Sequence, residues 1–554
     1  MLKKWNFILI IIIFSIIVSI PLINSNLDIY YDDGIQHIAR AYSTYLAIEH
    51  GENPNILLNL GNNFGYSWDL FYGGFSTIII LICKIITPNF MIAYKLSLFI
   101  GLLLSGFTMY GYVSNKFKSK EIGIISAIFY MSMPYHLNDM YIRNAFGEFL
   151  SFIFIPLVFW GIDEILNNKN KKYILVIGAS GLIFTHNLMT LCTAIFSVIY
   201  LCCNYNKINK KVILDFLINM FAILAITSCF WVPILETMNF SEYAVYQKGM
   251  MATIESVRKS SLNLKQLFIT SQDAKYVFEI GLPCIISLIG TILVFRKIKE
   301  KRDYILFLSL GLFCVFMSTK YFPWTIVGEE FSMIQFPWRM MTFVNFFFAI
   351  ICGINIYLIL KKIKLVDIAA ICSVILIYLI MLYKFLPINT ELTNIEEMQI
   401  GNVSTNIWQA MAGMGKGEYF PQKANSNRDY LSLREDKICI LDGDGKIEFE
   451  DKNGQKLNSK IDVFEKNTVL ELPYIYYPGY KVYVDNIEVD YFESDNGFIS
   501  IFINEKGEHD VSVCYPGTFG MRVSKYVSII GSIVFIGYII VKKKLEKHIE
   551  INIS

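Results

Sequence analysis

Apolar stretches of about 17–25 residues recur along this 554-residue chain, the length a helix needs to cross a bilayer. Only helices and closed barrels satisfy their own backbone in lipid, so runs of this length commit most of the chain to helices. The runs cover residues 7–23, 70–87, 91–113, 121–135, 147–166, 172–187, 188–204, 211–235, 277–296, 303–318, 340–360, 364–386 and 522–541. Charged residues make up 17% of the chain, against roughly 25% in soluble domains. The net charge of +2 gives no basic field suited to nucleic acid. The 11 cysteines follow no metal-ligand spacing, and most lie in apolar runs as small core residues.

The connectors set the topology. Basic clusters occur at Lys3–Lys4, Lys116–Lys120, Lys169–Lys172, Lys207–Lys211, Arg296–Arg302, Lys361–Lys364 and Lys542–Lys544. Positive connectors stay on the cytoplasmic side. All of them do so if residues 70–87 form a re-entrant or interfacial helix and the other runs cross, about twelve times. The expectation is a polytopic α-helical protein of a bacterial cytoplasmic membrane with both termini inside. Segments 24–90, 237–276 and 388–521 then lie outside.

Residues 389–520 differ in composition. Short alternating runs such as Lys446–Glu450, Gly479–Val484 and Gly497–Ile503 are separated by Asp442-Gly443, Asp444-Gly445 and Asn453-Gly454. Such runs and turns predict an extracytoplasmic β-sandwich, serving as a scaffold or contacting carbohydrate. The domain plan is therefore 1–388 membrane part, 389–520 β-rich domain, and 521–554 final span with a basic tail.

Polar residues at the outer ends of spans are the candidates for chemistry. Asp32 and Asp33 follow the first run, and Asp33 and His37 share a helix face. Asp33 fits a helix N-cap. It also fits a general base at the membrane surface, within reach of an acceptor hydroxyl. Arg143 and Glu148 precede and open the run 147–166, as an ion pair that sets topology or as a phosphate or sugar clamp. Arg339 opens a span on the side where positive charge is disfavoured, which calls for an anionic partner: Glu329, Glu330 or a lipid-linked phosphate. His186-Asn187 lies at an outer turn, where polar groups are costly unless they face protein or water. No Ser-His-Asp arrangement or glycine-rich phosphate loop stands out, which argues against a hydrolase triad and cytosolic nucleotide sugars.

Several of these motifs resemble a known group. Asp33-Gly-Ile-Gln-His37, Gly65-Tyr66, Phe71-Tyr72, Pro134-Tyr135, Tyr141-Ile-Arg143 and Glu148 resemble the 6-pyruvoyl-tetrahydropterin synthase-related bacterial membrane family. Gln335-Phe-Pro-Trp-Arg339, Tyr476-Tyr-Pro-Gly-Tyr480 and Val484-Asp485 are similar to YfhO-type proteins. The resemblance covers nearly the whole chain and implies a GT-C-like membrane glycosyltransferase. It implies a polyprenyl-phosphate-linked sugar donor and a cell-envelope glycan or lipid acceptor on the outer face. Asp33, then Asp32, would be the catalytic base, and His37, Arg143, Glu148, His186, Gln335 and Arg339 would bind donor and acceptor. No metal site is expected. A divalent cation at Asp32–Asp33 would lack the further oxygen ligands such an ion takes. A lipid-linked glycan flippase or a non-catalytic scaffold is the alternative.

Overall fold

The computed structural model describes residues 4–24, 26–29, 32–360, 363–388 and 414–553. The start of the predicted outer domain, residues 389–413, lies outside the described residues. So do Lys3, Lys361 and Lys362 of the basic connectors. The chain forms two compact units. The first comprises residues 1–35, 78–223 and 251–393, and the second 36–77, 224–250 and 394–554.

The first unit is helical. Among its described residues four helices are long and apolar enough to cross a membrane: Phe90–Phe117, Phe146–Leu166, Pro337–Leu360 and Leu365–Phe385. Phe146–Leu166 and Pro337–Leu360 are mostly buried and apolar on all sides, so they form the centre of this unit, whereas Leu365–Phe385 is largely exposed. Helix Phe146–Leu166 runs hard against Ile174–Thr185. A Cβ on Gly161 would collide with the backbone of Leu175, so glycine is what lets the two helices touch. Helix Phe75–Ile85 has 11 residues and rises about 16 Å, roughly half the hydrocarbon thickness.

Among the described residues of the second unit nine strands follow one another. They are β1 Cys439–Asp442, β2 Gly445–Asn453, β3 Lys456–Val463, β4 Thr468–Ile475, β5 Lys481–Val484, β6 Ile487–Val489, β7 Phe492–Glu493, β8 Phe498–Ile503 and β9 Gly507–Cys514. They form antiparallel sheets of order β1-β4-β8-β7 and β2-β3-β9-β5-β6. Period-two alternation sends Leu457, Ile461 and Val463 of β3 inward, where they join Leu470, Leu472, Ile499 and Ile501 of the other sheet in one core.

Residues 36–77 complete this core. Phe64, Tyr66, Trp68 and Phe71 pack into it with Tyr243, Tyr419 and Tyr477. The Phe71 ring stacks on Tyr419 at 4.8 Å, and the Tyr66 hydroxyl donates to the Met414 carbonyl at 3.0 Å. A fully buried pair, Arg434 Nε to Glu471 Oε1 at 3.0 Å, lies on the outer face of the four-stranded sheet.

The unit ends in helix Phe519–Ile553, whose first 28 residues also meet the spanning criteria. Its small residues Gly520, Ser524, Ser528 and Gly531 recur along one face. There Ser228 Oγ reaches the Ser524 carbonyl at 2.9 Å, so the small side chains allow helix Ser228–Phe240 to approach closely.

Candidate functional site

In the first helical unit a cluster of buried charged residues surrounds one irregular loop. Between Lys120–Ser132 and Phe146–Leu166 the chain makes a short helix, Pro134–Leu137, and then a single π-helical turn, Asn138–Ile142. A π turn widens the helix by one residue and is frequent at functional sites. Here Asp139 and Arg143, four residues apart, meet at 2.6 Å.

Glu148, one turn into the following helix, is the hub. Its Oε1 accepts from the Tyr135 hydroxyl at 2.6 Å and the Thr342 hydroxyl at 3.1 Å. Its Oε2 lies 3.1 Å from Arg143 Nη1 and 3.4 Å from Arg339 Nε. A carboxylate that is 1% exposed is tolerable only because donors surround it in this way.

The two arginines are held differently. Arg143 bonds to Tyr135, Asp139 and Glu148, all through Nη1. Its guanidinium carbon sits 4.3 Å over the Trp338 ring. Among the described residues no hydrogen bond falls on its Nε or Nη2, the edge that forms a planar fork. Arg339 donates through Nη1 to the Ile334 carbonyl at 3.2 Å and to Gln335 Oε1 at 2.6 Å.

Gln335 itself has φ 60° and ψ −49°, and the Phe336 amide donates to the Ile334 carbonyl at 2.6 Å across it. This is a γ-turn of the positive-φ form, rare and strained, and its central side chain fixes Arg339.

The segment Asp32–Gly34 closes against this cluster. The Asp33 amide donates to the Arg143 carbonyl at 3.1 Å. Asp32 and Asn144 both have positive φ, which short polar side chains tolerate. A Cβ on Gly34 would collide with the Ile29 carbonyl oxygen and crowd Asn144, so only glycine lets the loop lie this close.

Asp33 is half-buried, and burial raises its carboxyl pKa. Asp32 and Glu148 push the same way, while Arg143 and Arg339 oppose them. Asp32 is held by Tyr276, whose hydroxyl donates to it at 2.6 Å, with Lys275 at 3.4 Å. Burial first, and then the bond to Asp32, push the Tyr276 phenol up to about 12, so it stays a donor. Burial also raises Asp139 well above the ordinary carboxyl range.

His186 caps helix Asn187–Cys203, its Nδ1 accepting from the Met189 amide at 3.2 Å. A ring nitrogen that accepts from an amide carries no proton, so this imidazole is neutral. Arg339, Arg143 and Glu148 all lie within electrostatic reach of it.

The structure thus brings together Asp33, Asp32, Arg143, Glu148, His186, Gln335 and Arg339. His37 is buried in the second unit, one helical turn along from Asp33. Glu148 and Gln335 spend their oxygens on protein donors, so they position the arginines. Sequence reasoning missed Asp139, Tyr135, Thr342, Tyr276 and Trp338. The i, i+4 spacing of Asp139 and Arg143 could have found the first of them. Among the described residues no three His, Cys, Asp or Glu side chains come together as a metal ligand set.

A sequence profile described as "6-pyruvoyl-tetrahydropterin synthase related domain; membrane protein" matches residues 70–386. An uncharacterized protein of Lactococcus lactis subsp. cremoris (strain MG1363) is 27% identical over 356 residues, covering 58% of this chain and 55% of that protein. The chain therefore spans about half the length of the curated relative it matches.

Proposed function

The chain belongs to the 6-pyruvoyl-tetrahydropterin synthase related family of membrane proteins, and from that premise we propose that it is a glycosyltransferase of the GT-C type. It moves a sugar from a polyprenyl-phosphate donor to a cell-envelope glycan or lipid on the outer face of the bacterial cytoplasmic membrane. The accompanying topology has about twelve crossings, both termini in the cytoplasm and the β-sandwich outside.

The observation that carries the reading is a half-buried carboxyl of raised pKa, Asp33, within the field of Arg143 and Arg339, of which Arg143 hydrogen-bonds through Nη1 alone among the described residues. In the proposed reaction Asp33 takes the proton of the acceptor hydroxyl. A raised pKa suits a base working near neutral pH. The acceptor oxygen attacks the anomeric carbon, the bond to the phosphate oxygen breaks, and the leaving group departs as polyprenyl phosphate. Developing charge on that phosphate needs fixed donors. The open Nε–Nη2 edge of Arg143 meets it bidentately, and Arg339 supports it from the strained turn. Neutral His186 and Asp32 bound by Tyr276 complete the polar wall.

Comparing envelope glycans and lipid-linked sugars in cells with and without the protein tests the proposal. Loss of one sugar substituent with build-up of its lipid-linked form is expected. Unchanged glycans and unchanged lipid-linked pools contradict it.

A further inference from the structure

The basic connectors that set the topology have a second property. Lys116, Lys169, Lys207 and Arg302 come from four separate clusters, yet they line one cleft of about 380 Å³ in the first unit, with Asp163, Asn167, Glu300 and Asp303. The cleft sits where helices Phe90–Phe117, Phe146–Leu166 and Asn187–Cys203 end and Lys301–Ser318 begins.

The floor of the cleft is built and buried. Lys116 Nζ lies 2.9 Å from Asp163, 2.8 Å from Asp303 and 2.9 Å from the Tyr200 hydroxyl, which in turn donates to Asp163 at 2.7 Å. Lys116 is therefore neutralised twice over, and the floor carries carboxylate oxygens.

The rim is cationic. Lys207 bonds only to the Asn167 amide oxygen, at 3.2 Å. Arg302 bonds to Asn206 and to the Cys203 carbonyl. Among the described residues Lys169, Lys207 and Arg302 form no ion pair with a carboxylate. Burial lowers the pKa of Lys169, with Lys118 and Lys116 acting the same way and Glu164 and Asp163 opposing them. Three helix C-termini nearby favour one cation each, but this does not require an open cleft among them.

An apolar track leads to the rim. Leu191, Ile195 and Val198 are exposed along one face of the helix that ends at Cys203, and Ile292 and Phe295 are exposed before Arg302.

We propose that this cleft holds the headgroup of an anionic phospholipid of the cytoplasmic leaflet. The phosphodiester meets Lys169, Lys207 and Arg302, hydroxyls of a glycerol-type headgroup donate to Asp163 and Asp303, and the acyl chains lie on the Leu191–Val198 face. Cations clustered between spans on the inner side suit such lipids, each contributing roughly a fivefold change in affinity. The site is separate from the transfer chemistry and does not depend on that assignment.

The test uses the full-length protein in nanodiscs of phosphatidylcholine alone, with phosphatidylglycerol added, with phosphatidylethanolamine added, or with inorganic phosphate in the buffer. Native mass spectrometry reads retained lipid and thermal melting reads stabilisation. Wild type is expected to retain phosphatidylglycerol and melt higher in its presence. The triple variant Lys169→Gln/Lys207→Gln/Arg302→Gln is expected to bind it about a hundredfold more weakly, at roughly fivefold per cation. Its melting point in phosphatidylcholine should be unchanged, which separates lost binding from lost folding. The Lys169→Arg/Lys207→Arg pair is expected to retain the lipid and keeps the test valid if the triple variant misfolds. Equal retention by wild type and triple variant overturns the proposal. So does loss of retention in the arginine pair, an equal melting rise with inorganic phosphate, or a preference for phosphatidylethanolamine.

Discussion

The backbone amide of Asp33 is hydrogen-bonded to the carbonyl of Arg143 at 3.1 Å, which ties the segment Asp32–Gly34 to the end of the π-helical turn. A carboxyl and a guanidinium more than a hundred positions apart in sequence are thereby set in one electrostatic environment. The raised pKa of Asp33 is a property of that environment, because burial outweighs the two arginines.

The first prediction concerns stability. A carboxyl whose folded pKa lies above its unfolded value favours folding while protonated and costs stability as pH rises through the folded pKa. The cost is absent below the unfolded value of about 4. Above the folded value it amounts to about 1.4 kcal/mol for each pH unit between the two. Asp33→Asn should therefore melt no lower than wild type at pH 8, and the difference should shrink as pH falls toward 4. Thermal melts at several pH values check this.

The two arginines should respond differently to removal. Arg143→Ala strands Asp139 and Glu148 together in a buried place, so a loss of about 3–5 kcal/mol is expected. Arg339→Ala leaves Glu148 with Arg143, Tyr135 and Thr342, so the fold should persist while transfer falls about a hundredfold. Membrane yield, melting and transfer rate together distinguish the two.

Gln335 combines strain with function. Gln335→Gly relieves a backbone conformation that costs about 1–3 kcal/mol but removes the bond that aims Arg339. The variant should melt at or above wild type and transfer sugar more slowly. A variant both less stable and fully active would contradict the role given to this turn.

In the sandwich, Glu471→Ala leaves the Arg434 guanidinium buried without its carboxylate and should cost about 3–5 kcal/mol. A double variant, Arg434→Met with Glu471→Leu, should recover most of that. Limited proteolysis of the β-domain reads both.

The charged candidates were legible because they break a rule. Asp33, Arg143, Glu148 and Arg339 stand at the ends of apolar runs where charge is expensive. The β-domain was legible in the alternating runs that become β2, β5 and β8. The partners Tyr135, Thr342 and Trp338 were not, since an aromatic or hydroxyl residue at a span end also fits the membrane interface. Nor did any periodicity reveal that Phe64, Tyr66 and Phe71 complete the core of a domain more than 350 residues later. Long-range aromatic packing leaves no local pattern in sequence.

The most direct measurement is sugar turnover from polyprenyl-phosphate donors by purified wild type and Asp33→Asn as a function of pH. Wild type should gain activity with a midpoint above the ordinary carboxylate range, and the asparagine variant should stay inserted and folded yet lose at least about a hundredfold. Equal turnover by the two proteins would contradict the assignment of Asp33 as the base.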